Sequence, residues 1–114
     1  MSLKADNRQV DGIAVVDLSG RIVLGEATTT LREVLQNLVS QGQKRILLNL
    51  AQVSYIDSSG LGALVSGYTT ITSQAGQLKL LNLTSKVQDL LQITKLLTVF
   101  EVFTDEASAV RSFK

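Results

Sequence analysis

The stretch Val53-Ser54-Tyr55-Ile56-Asp57-Ser58-Ser59-Gly60-Leu61-Gly62 decides how this chain folds. A hydrophobic run, Ile46-Leu47-Leu48-Asn49-Leu50, leads into it, and apolar residues at helical spacing, Leu61, Leu64, Val65 and Tyr68, follow it. An apolar run that gives way to a helical period is the pattern of a strand turning into a helix. Between the two lie an acid, two hydroxyls and two glycines, Asp57 to Gly62. Short polar side chains suit a helix N-terminus, where the first backbone N–H groups lack partners within the helix. Such a place can hold an anion, or carry one once a serine is phosphorylated.

Upstream, Leu3 to Val10 is short and polar-alternating and reads as an edge strand. Asp11-Gly12 is a hairpin signal, and Ile13 to Leu18 is the second strand, ended by Ser19-Gly20. Arg21 to Gly25 is a connecting loop or a strand extension. Ala27, Leu31, Val34, Leu35 and Leu38 form one apolar face of a helix over Glu26 to Ser40, with Gly42 as its stop. Lys44 to Leu50 is nearly continuous in apolar residues after its basic start, as in a strand buried on both faces.

Downstream, the helix after the motif runs to Ser73 and closes near Gly76. Leu78 to Leu83 is another central strand. Thr84 or Ser85 caps a short helix through Leu91, with Val87, Leu90 and Leu91 inward. Leu97 to Phe103 is the last strand, and Thr104 caps a terminal helix led by Asp105 and Glu106, with Ala107, Val110 and Phe113 as its buried face. The expected fold is α/β: a single mixed β-sheet of about five strands, the central ones parallel and the N-terminal hairpin antiparallel, with about four helices largely on one side.

The chain has 114 residues, which reads as one domain over 1–114 burying roughly two-thirds of its unfolded surface. Apolar residues are 45% and charged residues 18%, a balance that suits a packed core rather than disorder. Net charge is +1 and only Lys44-Arg45 are adjacent bases, so neither nucleic acid nor a membrane surface is an expected partner. There is no Cys and no His, which removes disulfides, thiolate metal sites, Cys nucleophiles and the commonest general base. No catalytic cluster, metal site or cofactor is expected, and the chain does not read as an enzyme. No apolar segment approaches the roughly 20 residues of a membrane span, and no signal-peptide core opens the chain; a cytoplasmic location is compatible with this composition.

Asp57-Ser58-Ser59-Gly60 has an ordinary reading as a capped strand-to-helix turn. Gly60-Leu61-Gly62 is no dinucleotide fingerprint, and no Gly-Lys-Ser or Gly-Lys-Thr of a phosphate loop occurs. The whole string in its setting, Ile46 to Gly62, resembles the anti-sigma factor antagonists of the STAS domain family. The resemblance extends along the chain: Ala14 to Gly20 looks like that family's second strand, Gln77 to Leu83 with Thr84-Ser85 like its next strand and turn, Leu90 to Phe100 like its late leucine-rich segment, and Glu106-Ala107 like its terminal helix start.

The resemblance implies that Ser58, directly after the aspartate, is the phosphorylated residue, and that Asp57, Ser58, Ser59, Gly60, Leu61 and Gly62 meet the partner. It implies an anti-sigma factor serine kinase as that partner, bound by the unphosphorylated form so that a sigma factor is released. A PP2C-type phosphatase would restore the binding form. Phosphorylation would add about −1.5 to −2 charges beside Asp57, which the helix N-terminus partly offsets, so the fold should tolerate it. A partner packed against Ser58 would not, and a loss of about 3 kcal/mol weakens binding more than 100-fold.

Asp57 orients the Ser58 hydroxyl, contacts the kinase, or only caps the turn. Ser59 reads as a cap or a second hydroxyl, Gly60 and Gly62 as sites of close backbone approach, and Leu61 as core. The chain departs from the family pattern at Val23, where an acid is usual, with Glu26 as a nearby carboxylate; at Thr84-Ser85-Lys86, which lacks a proline; and at Lys95, where glycine is usual. A second reading is a constitutive adaptor or scaffold on the same fold, stressosome-like or transporter-associated, in which Ser58 is a cap and nothing more. The expected state is a monomer or weak dimer, with Phe100, Val102 and Phe103 taken as core before dimer face.

Overall fold

The computed structural model describes residues 3–113. Strands β1 (Lys4–Val10), β2 (Ile13–Ile22), β3 (Arg45–Ile56), β4 (Gln77–Leu81) and β5 (Val102–Phe103) alternate after the hairpin with helices α1 (Glu26–Ser40), α2 (Ser58–Ser73), α3 (Ser85–Ile93) and α4 (Glu106–Ser112). The hairpin turn places Asp11 at φ 51° and Gly12 at φ 80°, the paired positive values that match strand twist. One five-stranded sheet results, in the spatial order β1-β2-β3-β4-β5. β1 is antiparallel to β2, and every later pairing is parallel.

Because each crossover advances one strand in the same direction, right-handed connections bring α1, α2 and α3 to one face. Ala14, Val16, Leu18, Ile46, Leu48, Leu50, Leu78 and Leu80 point into that layer. Their neighbours Ile13, Val15, Leu47 and Leu81 point the other way, onto Ala109, Val110 and Phe113 of α4. The unbroken run Ile46-Leu47-Leu48 thus serves two cores, as its composition predicts.

Several boundaries differ from expectation. β2 passes through Ser19-Gly20 to Ile22 by shifting register twice against β3, and β3 continues to Ile56. The strand expected over Leu97 to Phe103 is only Val102–Phe103, preceded by a 3-10 turn at Leu96–Thr98. Phe100, 4% exposed, turns into the main core there and meets Tyr68 edge-on at 5.2 Å, so the segment is held by packing rather than by a ladder. The left-handed turn expected to need glycine is made by Lys95 at φ 63°.

The cap of α4 is Asp105 and not Thr104: its carboxylate accepts from the Ser108 N–H at 2.9 Å. The helix is rotated so that Ala107 is exposed and Ala109 buried. Thr84 precedes α3, but its hydroxyl donates to the Val53 carbonyl at 2.8 Å instead of capping.

Polar side chains of the sheet seat α4 at both ends. Arg8 of β1 donates to Asp17 and to Glu106 at the helix start. Lys79 of β4, 6% exposed, donates to the carbonyl and hydroxyl of Ser112, each at 3.0 Å, and lies 4.7 Å from the Phe113 ring centroid. Its ammonium also pairs with Glu101 at 3.1 Å.

Candidate functional site

β2 and β3 end side by side, Ile22 opposite Ile56. The chain then turns at Asp57, which is extended (φ −100°, ψ −176°), and α2 begins at Ser58. The Asp57 N–H donates to the Ile22 carbonyl at 3.2 Å, and its own carbonyl accepts the Leu61 N–H at 2.9 Å. Both carboxylate oxygens are engaged by backbone. Oδ1 accepts from the Gly60 N–H at 2.8 Å, and Oδ2 accepts from the Leu24 N–H at 3.0 Å. The Gly60 bond first, and the Leu24 bond after it, hold this carboxyl below the usual aspartate range. Asp57 is therefore a cap in this structure, and also a tie between two loops.

Gly60 lies against the end of β2. A Cβ there would stand 2.0 Å from the Ile22 carbonyl oxygen, so the helix can enter at this angle only with glycine. Gly62 differs from expectation, since a Cβ there would meet nothing within 4 Å. Ser58 is exposed at the first position of α2, Ser59 is half-buried, and Leu61 is core at 7% exposure. The motif thus divides by direction: Gly60 and Leu61 face the protein, Ser58 and Gly62 face out. A phosphate on Ser58 would sit at the positive end of a 16-residue helix, where anionic charge is favoured.

The β2–α1 loop is the part that sequence reasoning missed. Val23 is half-buried, and Leu24 is 76% exposed although its N–H is fixed by Asp57. Gly25, at φ 111°, then starts α1, and Glu26 is exposed as the first helical residue. Only Gly25 hinted at the sharp turn; no local signal connects Leu24 with a residue 33 positions away. Among the described residues, no group of acids could hold a metal ion, and no helix is long and apolar enough to cross a membrane.

A sheet with this strand order, three helices on one face and a capped Asp-Ser-Ser-Gly turn at the end of its central strand define a known class. The STAS domain family model matches residues 4–109, and the chain belongs to that family. Its relatives include the anti-sigma-B factor antagonist of Bacillus subtilis, 32% identical over 111 residues that cover 97% of this chain and 100% of the relative. A crystallised candidate anti-sigma factor antagonist from Thermotoga maritima shares the fold at TM-score 0.89 and 23% identity, covering 96% of this chain and 93% of that one. The phosphorylated form of the Bacillus cell fate determinant SpoIIAA shares it at TM-score 0.76 and 22% identity, covering 97% and 100%.

Proposed function

We propose that this protein is an anti-sigma factor antagonist that works as a single switchable binding domain. Unphosphorylated, it binds an anti-sigma factor serine kinase and releases the sigma factor that kinase held. The kinase phosphorylates Ser58 and ends the complex, and a PP2C-type phosphatase restores the binding form. Asp57 to Gly62 form the centre of the contact, with Ser58 and Gly62 outward and Gly60 and Leu61 supporting them from behind.

The observation that carries this reading is the exposed Ser58 hydroxyl at the head of α2, on a turn fixed by the Asp57 cap. The names of the relatives support the role, and the helix dipole supports tolerance of the phosphate. Because Ser58 is a surface residue, its phosphate acts on the partner and not on the fold.

The test is intact-mass spectrometry after incubation with anti-sigma serine kinases from the source genome and ATP, with peptide mapping over residues 46–79. One phosphate on Ser58 is expected. The Ser58→Glu variant should keep the native circular dichroism spectrum and bind the kinase at least about 100-fold more weakly. A lost spectrum would show that the charge acts on folding. Stable co-purification with a partner, with no kinase able to modify Ser58, would favour the constitutive adaptor.

A further inference from the structure

We infer that Leu24 is an apolar anchor of the same partner contact, and that Asp57 serves the contact by positioning it; this rests on the proposed partner-binding role. Leu24 and Ile93 are the most exposed large apolar side chains among the described residues, at 76% and 78%. A lone exposed leucine is ordinary on a protein surface. Ile93 is the last residue of α3 and belongs neither to the Ser58 turn nor to the loop hydrogen-bonded to it. Leu24 differs because its backbone is locked to that turn.

The lock has three parts. The Leu24 N–H is held by Asp57 Oδ2 at 3.0 Å, and the preceding Ile22 carbonyl accepts the Asp57 N–H at 3.2 Å. The same carbonyl is pressed by Gly60, with no room for a side chain between them. The residue before Ser58 therefore fixes the position of Leu24. An exposed leucine on a mobile loop would lose ordering entropy on binding; on a fixed loop most of that loss is already incurred in folding. A few side chains seated in well-packed, desolvated pockets carry most of the energy of a protein contact, and burying a leucine side chain contributes about 1.5–3 kcal/mol, roughly ten-fold or more in affinity.

The partner chemistry follows. A surface that fits here presents an apolar pocket for Leu24 beside a closely packed patch over Ser58. It lies over the Asp57 carboxylate, whose two oxygens each accept a backbone N–H, which lowers the cost of covering that charge. A phosphate on Ser58 brings unmet charge and water to the edge of that pocket, so one modification weakens both contacts at once.

The probe is the set of purified anti-sigma serine kinases from the source genome, with ADP for affinity and ATP for kinetics. Leu24→Ala is expected to raise Kd roughly ten-fold or more, with an unchanged melting midpoint. In the phosphorylation reaction it should raise KM and leave kcat in place. Leu24→Met should restore affinity, since it keeps the apolar volume. Asp57→Asn places an amide donor against one of the two N–H groups, and should weaken binding less in the Leu24→Ala background than in the native one. An affinity of Leu24→Ala within about two-fold of the native value would overturn the anchor, as would a loss matched by a lower melting midpoint. Failure of the native protein to bind any of the kinases would instead bring down the proposed function, and the anchor with it.

Discussion

Asp57 and Gly60 show how single side chains set the geometry of this site. The carboxylate closes the first turn of α2 and reaches across to the β2–α1 loop, while the absent Cβ of Gly60 lets the helix touch the Ile22 carbonyl. Gly60→Ala must push backbone from backbone, and should cost about 1–3 kcal/mol in chemical unfolding. Gly62→Ala, two residues on, meets open space within a helix and should stabilise the protein by about 0.5–1 kcal/mol. Opposite signs for two alanines in one motif would establish which glycine is there for close approach; equal effects would refute the assignment. The acid missing at Val23 is not needed for this geometry. The loop makes its tie to Asp57 through the backbone N–H of Leu24, which needs no particular side chain.

At the scale of elements, the weakest secondary structure is held by the most specific contacts. α4 has only seven residues, too few to be stable alone, and is seated by Arg8 at its start and Lys79 at its end. The Lys79 ammonium meets carbonyl and hydroxyl oxygens at a helix C-terminus, where cations are favoured. Lys79→Met keeps the apolar stem and removes those bonds. Stability should fall by about 1–3 kcal/mol, and hydrogen exchange in α4 should accelerate before that of β3. Exchange that rises equally in both would mean that α4 is not a separate unit of opening. The turn after α3 offers a complementary case. Lys95 is exposed and left-handed at φ 63°, so Lys95→Gly should relieve about 1 kcal/mol and raise the melting midpoint by a few degrees. An unchanged midpoint would show that the turn is unstrained.

For the whole molecule, charge sets a pH profile of simple shape. Hydrogen bonds from Gly60 and Leu24 lower the pKa of Asp57, those from Arg8 lower Asp17 and Glu106, and those from Ser108 lower Asp105. A carboxyl whose folded pKa is depressed adds stability above its unfolded value of about 4, and that stability is lost as pH falls through the folded value. With no His in the sequence, no side chain of ordinary pKa titrates between about pH 5 and 8. Melting midpoints should therefore be flat across that range and fall below about pH 4; a step near neutrality would contradict the charge map.

The order of elements, the two-faced burial of Ile46-Leu47-Leu48 and the Asp-Ser-Ser-Gly turn were legible in the sequence, because periodicity and capping act over a few residues. The short β5, the seating of α4 by Lys79 and the placing of Leu24 by Asp57 were not. Each depends on groups far apart in the chain that meet only after the sheet has formed. Local sequence determined the strands and helices up to α3 and which hydroxyl stands at the head of α2. The tertiary structure alone decided what that hydroxyl stands beside, since a carboxylate can select distant backbone donors only once packing has brought them within hydrogen-bond reach.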